Sequence, residues 1–160
     1  MTKPMTDPMD ALKSFRQAVA DGDIAPIEAE SHDDLLAYFD RPEGVHRFTY
    51  ALRKGGEIAA IAIFAKAEPI DGVQCMGVGY AVIESFRSKG YGAEVVRKSF
   101  DEVRLQSRKV GVTHLYVEAV VSIDNEPSNR IARKLFSAEP KAGTDQVSGQ
   151  PSFQYIRKLF

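Results

Sequence analysis

The chain has 160 residues, of which 44% are hydrophobic and 27% are charged. This composition excludes collagen-like, coiled-coil and wholly disordered proteins and is typical of one globular domain. The 21 Lys+Arg and 22 Asp+Glu give a net charge of −1, so no global attraction to nucleic acid or to an acidic membrane is expected. We expect a single domain over residues 1–160, with residues 1–8 disordered and any anion site local.

The compartment is predicted from cysteine usage and from the apolar runs. Cys75 is the single cysteine and cannot form an intramolecular disulfide. The longest apolar run, Ile58 to Ala65, is far below the roughly 20 residues that cross a bilayer. The proline- and aspartate-containing amino terminus is unlike a secretory signal. These features predict a cytoplasmic protein that binds neither membrane nor metal.

The first part of the chain shows helical periodicity. Apolar residues recur at helical spacing from Met9 to Ala20, which predicts a first amphipathic helix. Ser31 followed by acidic residues has the form of a helix N-cap, and the apolar residues that follow it reach Phe39. A second short helix is therefore expected before the turn at Arg41–Gly44.

Extended segments follow. Phe48–Arg53 and Ile58–Lys66, separated by a glycine-containing turn, predict an antiparallel hairpin. A second turn at Pro69–Gly72 leads into a third strand over Val73–Ile83. The early sheet should therefore be antiparallel.

The second half alternates helices and strands. The predicted elements are a long helix from Gly92 to about Val110, a strand over Thr113–Val121, a helix over Pro127–Phe136, a polar loop over Glu139–Pro151 and a final strand over Phe153–Leu159. This order predicts an α+β or three-layer α/β domain in which one helix makes the crossover.

The most informative segment runs from Val78 to Ala93, where a strand enters a glycine-rich turn that opens a helix. Free N–H groups and the positive end of the helix dipole make such a turn an anion site. Gly90 and Gly92 allow close approach, and Arg87 and Lys89 add positive charge. The alternative is a tight turn with solvated charges. The ATP signature G-x-x-x-x-G-K-S/T is absent, which disfavours a P-loop.

Two motifs in this half resemble a known family. The residues Arg87-Ser88-Lys89-Gly90-Tyr91-Gly92-Ala93 resemble the Q/R-x-x-G-x-G/A pyrophosphate signature of the GNAT superfamily of acetyl-CoA-dependent N-acyltransferases. The segment from Asn125 to Phe136 is similar to the family pattern N-x-x-S-x-R-x-x-x-K-L-G-F, although Phe136 stands where the pattern has glycine. The resemblance covers roughly residues 45–160.

The resemblance implies a mixed, mostly antiparallel central sheet with helices on both faces and a cofactor cleft between splayed strands four and five. Acetyl-CoA is the implied cosubstrate, with its pantetheine arm along Val82 and its pyrophosphate on the loop amides. Asn125 and Ser128 would line the pantetheine, although Asn125 serves equally well as an N-cap. The implied cofactor-binding residues are Val82, Arg87, Ser88, Lys89, Gly90, Tyr91, Gly92, Ala93, Asn125 and Ser128.

The expected acid and base are missing from their usual places. Family members carry a proton acceptor at positions that fall here on Met76 and Val78, and a tyrosine acid at the position of Ala132. None of these side chains can transfer a proton. We therefore select Glu118 as base and Tyr80 as donor, with His114 and Tyr116 as further candidates. The alternative for Glu118 is a solvent-facing carboxylate on a half-exposed strand.

The predicted function is transfer of an acetyl group from acetyl-CoA directly to a primary amine of a small molecule or protein, in a protein that could form a homodimer. The alternative is a CoA-binding module that has lost catalysis and acts as a sensor or partner subunit. A nucleic-acid-binding domain is disfavoured by the charge balance. An acidic set could attract a cationic amine or simply be solvated; its members are Glu28, Glu30, Asp33, Asp34 and Asp40.

Overall fold

The computed structural model describes residues 7–146 and 148–160. One eight-stranded sheet and three α-helices form the structure. In chain order the elements are α1 (Pro8–Ala20), β1 (Ile27–Glu28), β2 (Leu35–Asp40), β3 (Arg47–Lys54), β4 (Glu57–Ile70), β5 (Val73–Val82), α2 (Tyr91–Lys109), β6 (Tyr116–Ser122), α3 (Glu126–Leu135), β7 (Lys141–Thr144) and β8 (Pro151–Lys158).

The strand order across the sheet is β1-β2-β3-β4-β5-β6-β8-β7. Every neighbouring pair is antiparallel except β5 and β6, which are parallel and are connected through α2. Antiparallel neighbours need only short turns, whereas parallel neighbours need a crossover. The predicted hairpin, the third strand and the helical crossover are confirmed, as is the mixed, mostly antiparallel sheet.

Both faces of the sheet are covered, which gives the three layers. On one face, α2 packs through Val96 and Phe100 against a cluster that includes Phe64 of β4. On the other face, α1 packs through Leu12 and Phe15 against a second cluster. We call these the α2 face and the α1 face. Successive residues of a strand point to opposite faces, so each central strand contributes to both clusters.

The predicted second helix is wrong, because this segment forms β2. The neighbouring residues Leu35 and Leu36 are both buried, one in the cluster on the α2 face and the other in the cluster on the α1 face. A helix would direct them to one apolar stripe, whereas a strand between two covered faces buries both. Antiparallel pairing of β2 with β3 then satisfies the backbone.

Two further expectations change at the ends of the sheet. The predicted polar loop over Glu139–Pro151 contains β7, whose four exposed residues pair with the start of β8. The predicted disorder of residues 7 and 8 is wrong, because Asp7 caps α1 and Pro8 is its first residue. The rest of that prediction, residues 1–6, lies outside the described residues. The sequence of β7 has no alternation of apolar and polar residues. Only its pairing with β8 identifies it as a strand.

The acidic set is largely neutralised. Glu28 pairs with Arg53, Glu30 with Lys109, Asp34 with Lys98 and Asp40 with Arg47. The carboxylate of Asp34 also lies near Lys54, and both lysines contact Glu94 of α2. This network of four charges connects the segment before β2 to α2. Glu28, Glu30, Asp34 and Asp40 thus form ion pairs and do not make a free acidic patch.

The network predicts an acid-dependent contribution to stability. Burial raises the pKa of Asp34, but hydrogen bonding to Lys98 and the two lysine charges outweigh it, and the pKa ends below its usual value of 3.8. The stabilisation is therefore present above that value and is lost as the pH falls through the folded-state pKa. We expect Asp34→Asn to lower the free energy of unfolding by about 1 to 2 kcal/mol at neutral pH and by a smaller amount near pH ~3.

Urea unfolding of wild type and variant at both pH values measures this difference. Glu139→Gln, at an exposed position, is the control and should follow the wild type throughout. An Asp34→Asn deficit that stays constant from neutral to acid pH would contradict the assignment.

Candidate active site

The parallel pair β5 and β6 opens into a cleft. The two strands pair only from Cys75 opposite Tyr116 to Gly77 opposite Glu118. Beyond that point β5 continues to Val82 beside β4, while β6 continues to Ser122 beside β8. The two strands therefore separate after Gly77. Beyond this residue the facing edges of β5 and β6 no longer hydrogen-bond to each other.

A short loop connects the open end of β5 to α2. After Val82 the chain makes a 3-10 turn over Glu84–Phe86 and reaches Gly90, which has φ +78° and precedes the helix. The first helical bond runs from the Glu94 N–H to the Gly90 carbonyl. The N–H groups of residues 91–93 consequently have no acceptor inside the helix.

The start of α2 differs from the other two helix starts. Asp7 caps α1 through the Met9 N–H, and Asn125 caps α3 through the Ser128 N–H, but Gly90 provides no side-chain cap. The N–H groups and the positive end of the helix dipole therefore face the loop together. This arrangement lies where the sequence predicts an anion site.

Positive side chains surround the loop. Arg87 and Lys89 are exposed, and the Lys89 ammonium lies 5.8 Å from the centroid of the Phe86 ring. Gly92, the second residue of α2, packs closely against α3, because a Cβ there would lie 2.8 Å from Cδ1 of Ile131 and would require that side chain to shift. Glycine at this position thus allows α2 and α3 to approach beside the cleft.

The start of α3 lies across the cleft from β5. The Tyr80 hydroxyl donates to the Ser128 carbonyl at 2.7 Å, which connects the free part of β5 to the first turn of α3. Asn125 accepts the Ser128 N–H at 3.2 Å and is exposed. Asn125 is therefore the N-cap of α3, as the sequence allowed. It also lies beside the cleft, so a cofactor-lining role stays a prediction.

Tyr80 is buried with its phenolic proton directed to the Ser128 carbonyl. Burial, with the nearby Tyr155, raises the pKa of Tyr80 well above its usual value of 10, so it stays protonated at neutral pH. Met76, Val78 and Ala132 are buried in the apolar cluster on the α2 face. Tyr80 is thus the proton-bearing side chain that β5 presents to this face.

Glu118 lies on the opposite face. It is the last residue of β6 paired with β5, and its carboxylate accepts a hydrogen bond of 2.6 Å from Nε2 of Gln154 in β8. Strand parity places it on the α1 face with Cys75 and Gly77. Glu118 therefore lies at the narrow end of the cleft, and Tyr80 lies on the opposite face of the sheet, farther toward the open end. Tyr80 is the third residue after Gly77, about 10 Å along the strand from the last pair.

The remaining candidates lie near Glu118. Tyr116, two residues earlier on β6, is half-buried on the same face, while His114 is exposed before the strand begins. Cys75 is fully buried, and burial with the nearby Glu118 charge raises its pKa to about 11. Its thiol is therefore neutral at physiological pH and packs in the core.

Sequence reasoning missed Asn129, the fully buried polar residue of α3. Its amide nitrogen donates to the carbonyls of Ser122 and Asn125, and its oxygen accepts the Tyr155 hydroxyl at 2.7 Å. These bonds connect α3 to β6 and β8 and so fix the helix that borders the cleft. The available signal was spacing, because Asn129 stands three residues before Ala132 and seven before Phe136, on the buried stripe.

Loss of this network should destabilise the fold. We expect Asn129→Ala to lower the free energy of unfolding by about 2 to 4 kcal/mol, because the buried Tyr155 hydroxyl would lose its acceptor and the Ser122 and Asn125 carbonyls would lose a donor. Asn125→Ala, which removes only a cap, should cost about 1 kcal/mol. The measurement is chemical denaturation, and adding Tyr155→Phe should recover part of the loss. Additive costs in the double variant would argue against the network.

Within residues 7–146 and 148–160 the structure contains no group of three or more His, Cys, Asp or Glu side chains that could hold a metal ion. The same residues contain no helix long and apolar enough to cross a membrane.

Fold and site together define a three-layer domain that has an uncapped helix start beside a splayed pair of parallel strands. The sequence model described as "Acetyltransferase (GNAT) family" matches residues 12–136. The chain belongs to the GNAT acetyltransferase family.

Solved structures of similar fold agree with this assignment. An acetyltransferase from Salmonella typhimurium, described as modifying the N-terminal serine of ribosomal protein L7/L12, aligns with a TM-score of 0.50 and 22% identity over 70% of this chain and 63% of that chain. A GNAT-family acetyltransferase from Streptococcus pneumoniae gives a TM-score of 0.53 and 11% identity over 71% and 67%. One from Desulfovibrio desulfuricans gives 0.52 and 18% over 71% and 69%.

These likenesses are in fold, and this chain spans less than two thirds of the Salmonella protein. A comparison with curated proteins found no significant match.

Proposed function

We propose that the protein is an N-acetyltransferase that transfers the acetyl group of acetyl-CoA directly to a primary amine. The observation that carries this proposal is the uncapped start of α2 at the open end of the β5–β6 cleft. Acetyl-CoA requires an anion site for its pyrophosphate and a cleft for its extended pantetheine arm. In this protein the helix start and the cleft lie next to each other.

The residues of the cleft fit this cosubstrate. The N–H groups of residues 91–93 would hold the pyrophosphate, with Arg87 and Lys89 adding charge. The free edge of β5 near Val82 would pair with the amides of the pantetheine arm, because β6 no longer occupies that edge. Asn125 and Ser128 would face the arm from α3.

Glu118 is proposed as the base. Acetyl-CoA, when bound, supplies an activated acetyl thioester. An amine entering from the α1 face meets Glu118 at the narrow end of the cleft, and the carboxylate takes the proton that the amine must lose. The hydrogen bond from Gln154 orients the carboxylate.

Tyr80 is proposed as the acid. The family tyrosine would stand at Ala132, one helical turn after Ser128. The Tyr80 hydroxyl reaches the carbonyl of Ser128 from β5 instead. Tyr80 of β5 therefore places a protonated phenol in the same region of the cleft. This phenol can give its proton to the leaving thiolate.

The finer properties of the protein are also proposals. A single-domain organisation over residues 1–160 and a cytoplasmic location follow from the sequence arguments above, and a homodimer stays a prediction. A protein amino terminus is one acceptor class to consider, since the Salmonella relative is described as acting on one.

Calorimetric titration of the wild type with acetyl-CoA, followed by an amine screen that detects released thiol, tests the proposal. We expect a dissociation constant in the micromolar range and turnover with at least one amine class. Absence of acetyl-CoA binding would overturn the proposal. Binding without turnover by any amine would instead identify the CoA-binding module that has lost catalysis.

A further inference from the structure

A cavity of about 290 Å³ lies between α1 and strands β2–β4 on the α1 face. Its floor includes Thr49, Ile61 and Ile63, and its rim carries the ion pair of Asp40 and Arg47. The volume is at the lower end of ligand pockets, and a mostly apolar lining with a few polar groups is typical of them.

The cavity exists because α1 presents small side chains to it. Ala11, Ser14 and Ala18, at helical spacing, line it from above. Leu12 of the same helix packs in the apolar cluster beside it, and Phe15 both belongs to that cluster and lines the cavity. A leucine at position 18 would extend into this space.

A groove floored by small residues connects the cavity to the proposed base. Arg47 pairs with Ala65, Ala65 with Gly77, and Gly77 with Glu118, so these four residues form one row across the α1 face. Ala65 and Gly77 are only half-buried, and no large side chain stands in the row between Arg47 and Glu118. Three strand spacings, about 14 Å, separate the two ends.

The first turn of α1 borders this groove rather than filling it. Pro8 lies over Gly79 in the adjacent row, where a Cβ would be 3.1 Å from the proline ring. At Gly77 a Cβ would meet only atoms of Ala65 and Ala67, at 3.8 Å. Among the described residues, no side chain covers the floor of the groove at Gly77.

We infer that this cavity and groove bind the acceptor, and that the acceptor is the amino terminus of an extended peptide with an apolar side chain at its fourth residue. The inference rests on the proposed function and specifies its substrate class. A strand-like chain advances about 3.4 Å per residue, so its first and fourth residues lie about 10 Å apart, and the fourth side chain covers the remaining few ångströms to the cavity. The terminal amine lies at Glu118 and the fourth side chain enters the cavity.

Two features favour a chain over a compact amine. Within residues 7–146 and 148–160 no element covers the part of the α1 face formed by β6 and β8, where Tyr116, Val120 and Ile156 are half-exposed. A small molecule would therefore be enclosed on one side only. Asp40 engages Nε and Nη2 of Arg47, which leaves the Nη1 edge directed away from the pair and able to donate to a peptide carbonyl.

Acetyl transfer to three tetrapeptide amides tests the position of the apolar residue. The probes are tetra-alanine and two variants with phenylalanine at the second or at the fourth residue. Burial of the ring predicts kcat/KM roughly tenfold or more higher for the fourth-position peptide. Ala18→Leu should abolish this preference, whereas Lys13→Leu, at an exposed position of the same helix, should retain it. Equal rates for all three peptides, or for a short phenylalkylamine, would overturn the peptide class.

Methyl NMR separates this inference from the proposed function. The methyl groups of Ile24, Ile61 and Ile63 line the cavity, and Ile156 lies opposite Glu118. Titration of the fourth-position peptide without acetyl-CoA should shift all four signals and leave Ile123 unchanged, even if acetyl-CoA binding failed. Unshifted cavity signals would refute the acceptor site, even if calorimetry confirmed acetyl-CoA binding. Ser14→Leu repeats the comparison should Ala18→Leu fold poorly.

Discussion

Gly90→Asp is expected to weaken acetyl-CoA binding roughly a hundredfold or more. A new carboxylate would stand at the uncapped start of α2, where the pyrophosphate is proposed to bind. Two charges about 5 Å apart at an effective dielectric constant of about 20 repel by roughly 3 kcal/mol, which corresponds to that loss of affinity. Calorimetric titration measures it directly.

The fold should tolerate this substitution. A Cβ at position 90 meets no atom within 4 Å, and aspartate is among the residues most often found at positive φ. Aspartate also caps helices, so the melting temperature should stay constant or rise. Gly90→Asn has nearly the same shape without the charge and should lose less than about tenfold in affinity. Equal losses for both variants would indicate a steric or backbone effect in place of the anion site.

The second large effect is expected at Glu118. Glu118→Gln should lower kcat/KM roughly tenfold or more at neutral pH, because glutamine keeps the shape and the partner Gln154 but cannot accept a proton. At about pH 9 more of the acceptor amine is already neutral, so the gap between wild type and variant should narrow. Thiol release measured across this pH range tests both statements.

Glu68→Gln is the control for this experiment, since it removes an exposed carboxylate from β4. It should match the wild type in rate and in pH profile. Acetyl-CoA affinity should be unchanged in both variants, because Glu118 lies on the α1 face, opposite the loop before α2 that is proposed to bind the pyrophosphate. An unaltered pH–rate profile for Glu118→Gln would remove it as the base.

Local patterns predicted most elements. The β3–β4 hairpin follows from its turn glycines, and α2 from an apolar stripe of helical period between glycines. The loop before α2 was predictable because strand, glycine turn and helix follow one another directly in sequence. At β2 the pattern failed, since Leu35 and Leu36 are buried on different faces of a sheet that other segments complete.

The two sides of the candidate site differ in the same way. The predicted anion-binding loop, residues 87–93, is contiguous in sequence, so its residue types and spacing define it. The proposed acid and base come from β5 and β6, and only the strand register shows that Tyr80 and Glu118 lie on opposite faces. Asn129 was missed because its partners are distant carbonyls and the Tyr155 hydroxyl, which no local pattern identifies.

The sequence by itself determined the family signature, the single helical crossover and the anion loop, because each depends on residues close together along the chain. Tertiary structure alone decided where β5 and β6 part, which face each polar side chain occupies, and that Ala65 and Gly77 form a groove between Arg47 and Glu118. These features depend on pairing between distant segments, in which a shift of one residue would move every side chain to the other face.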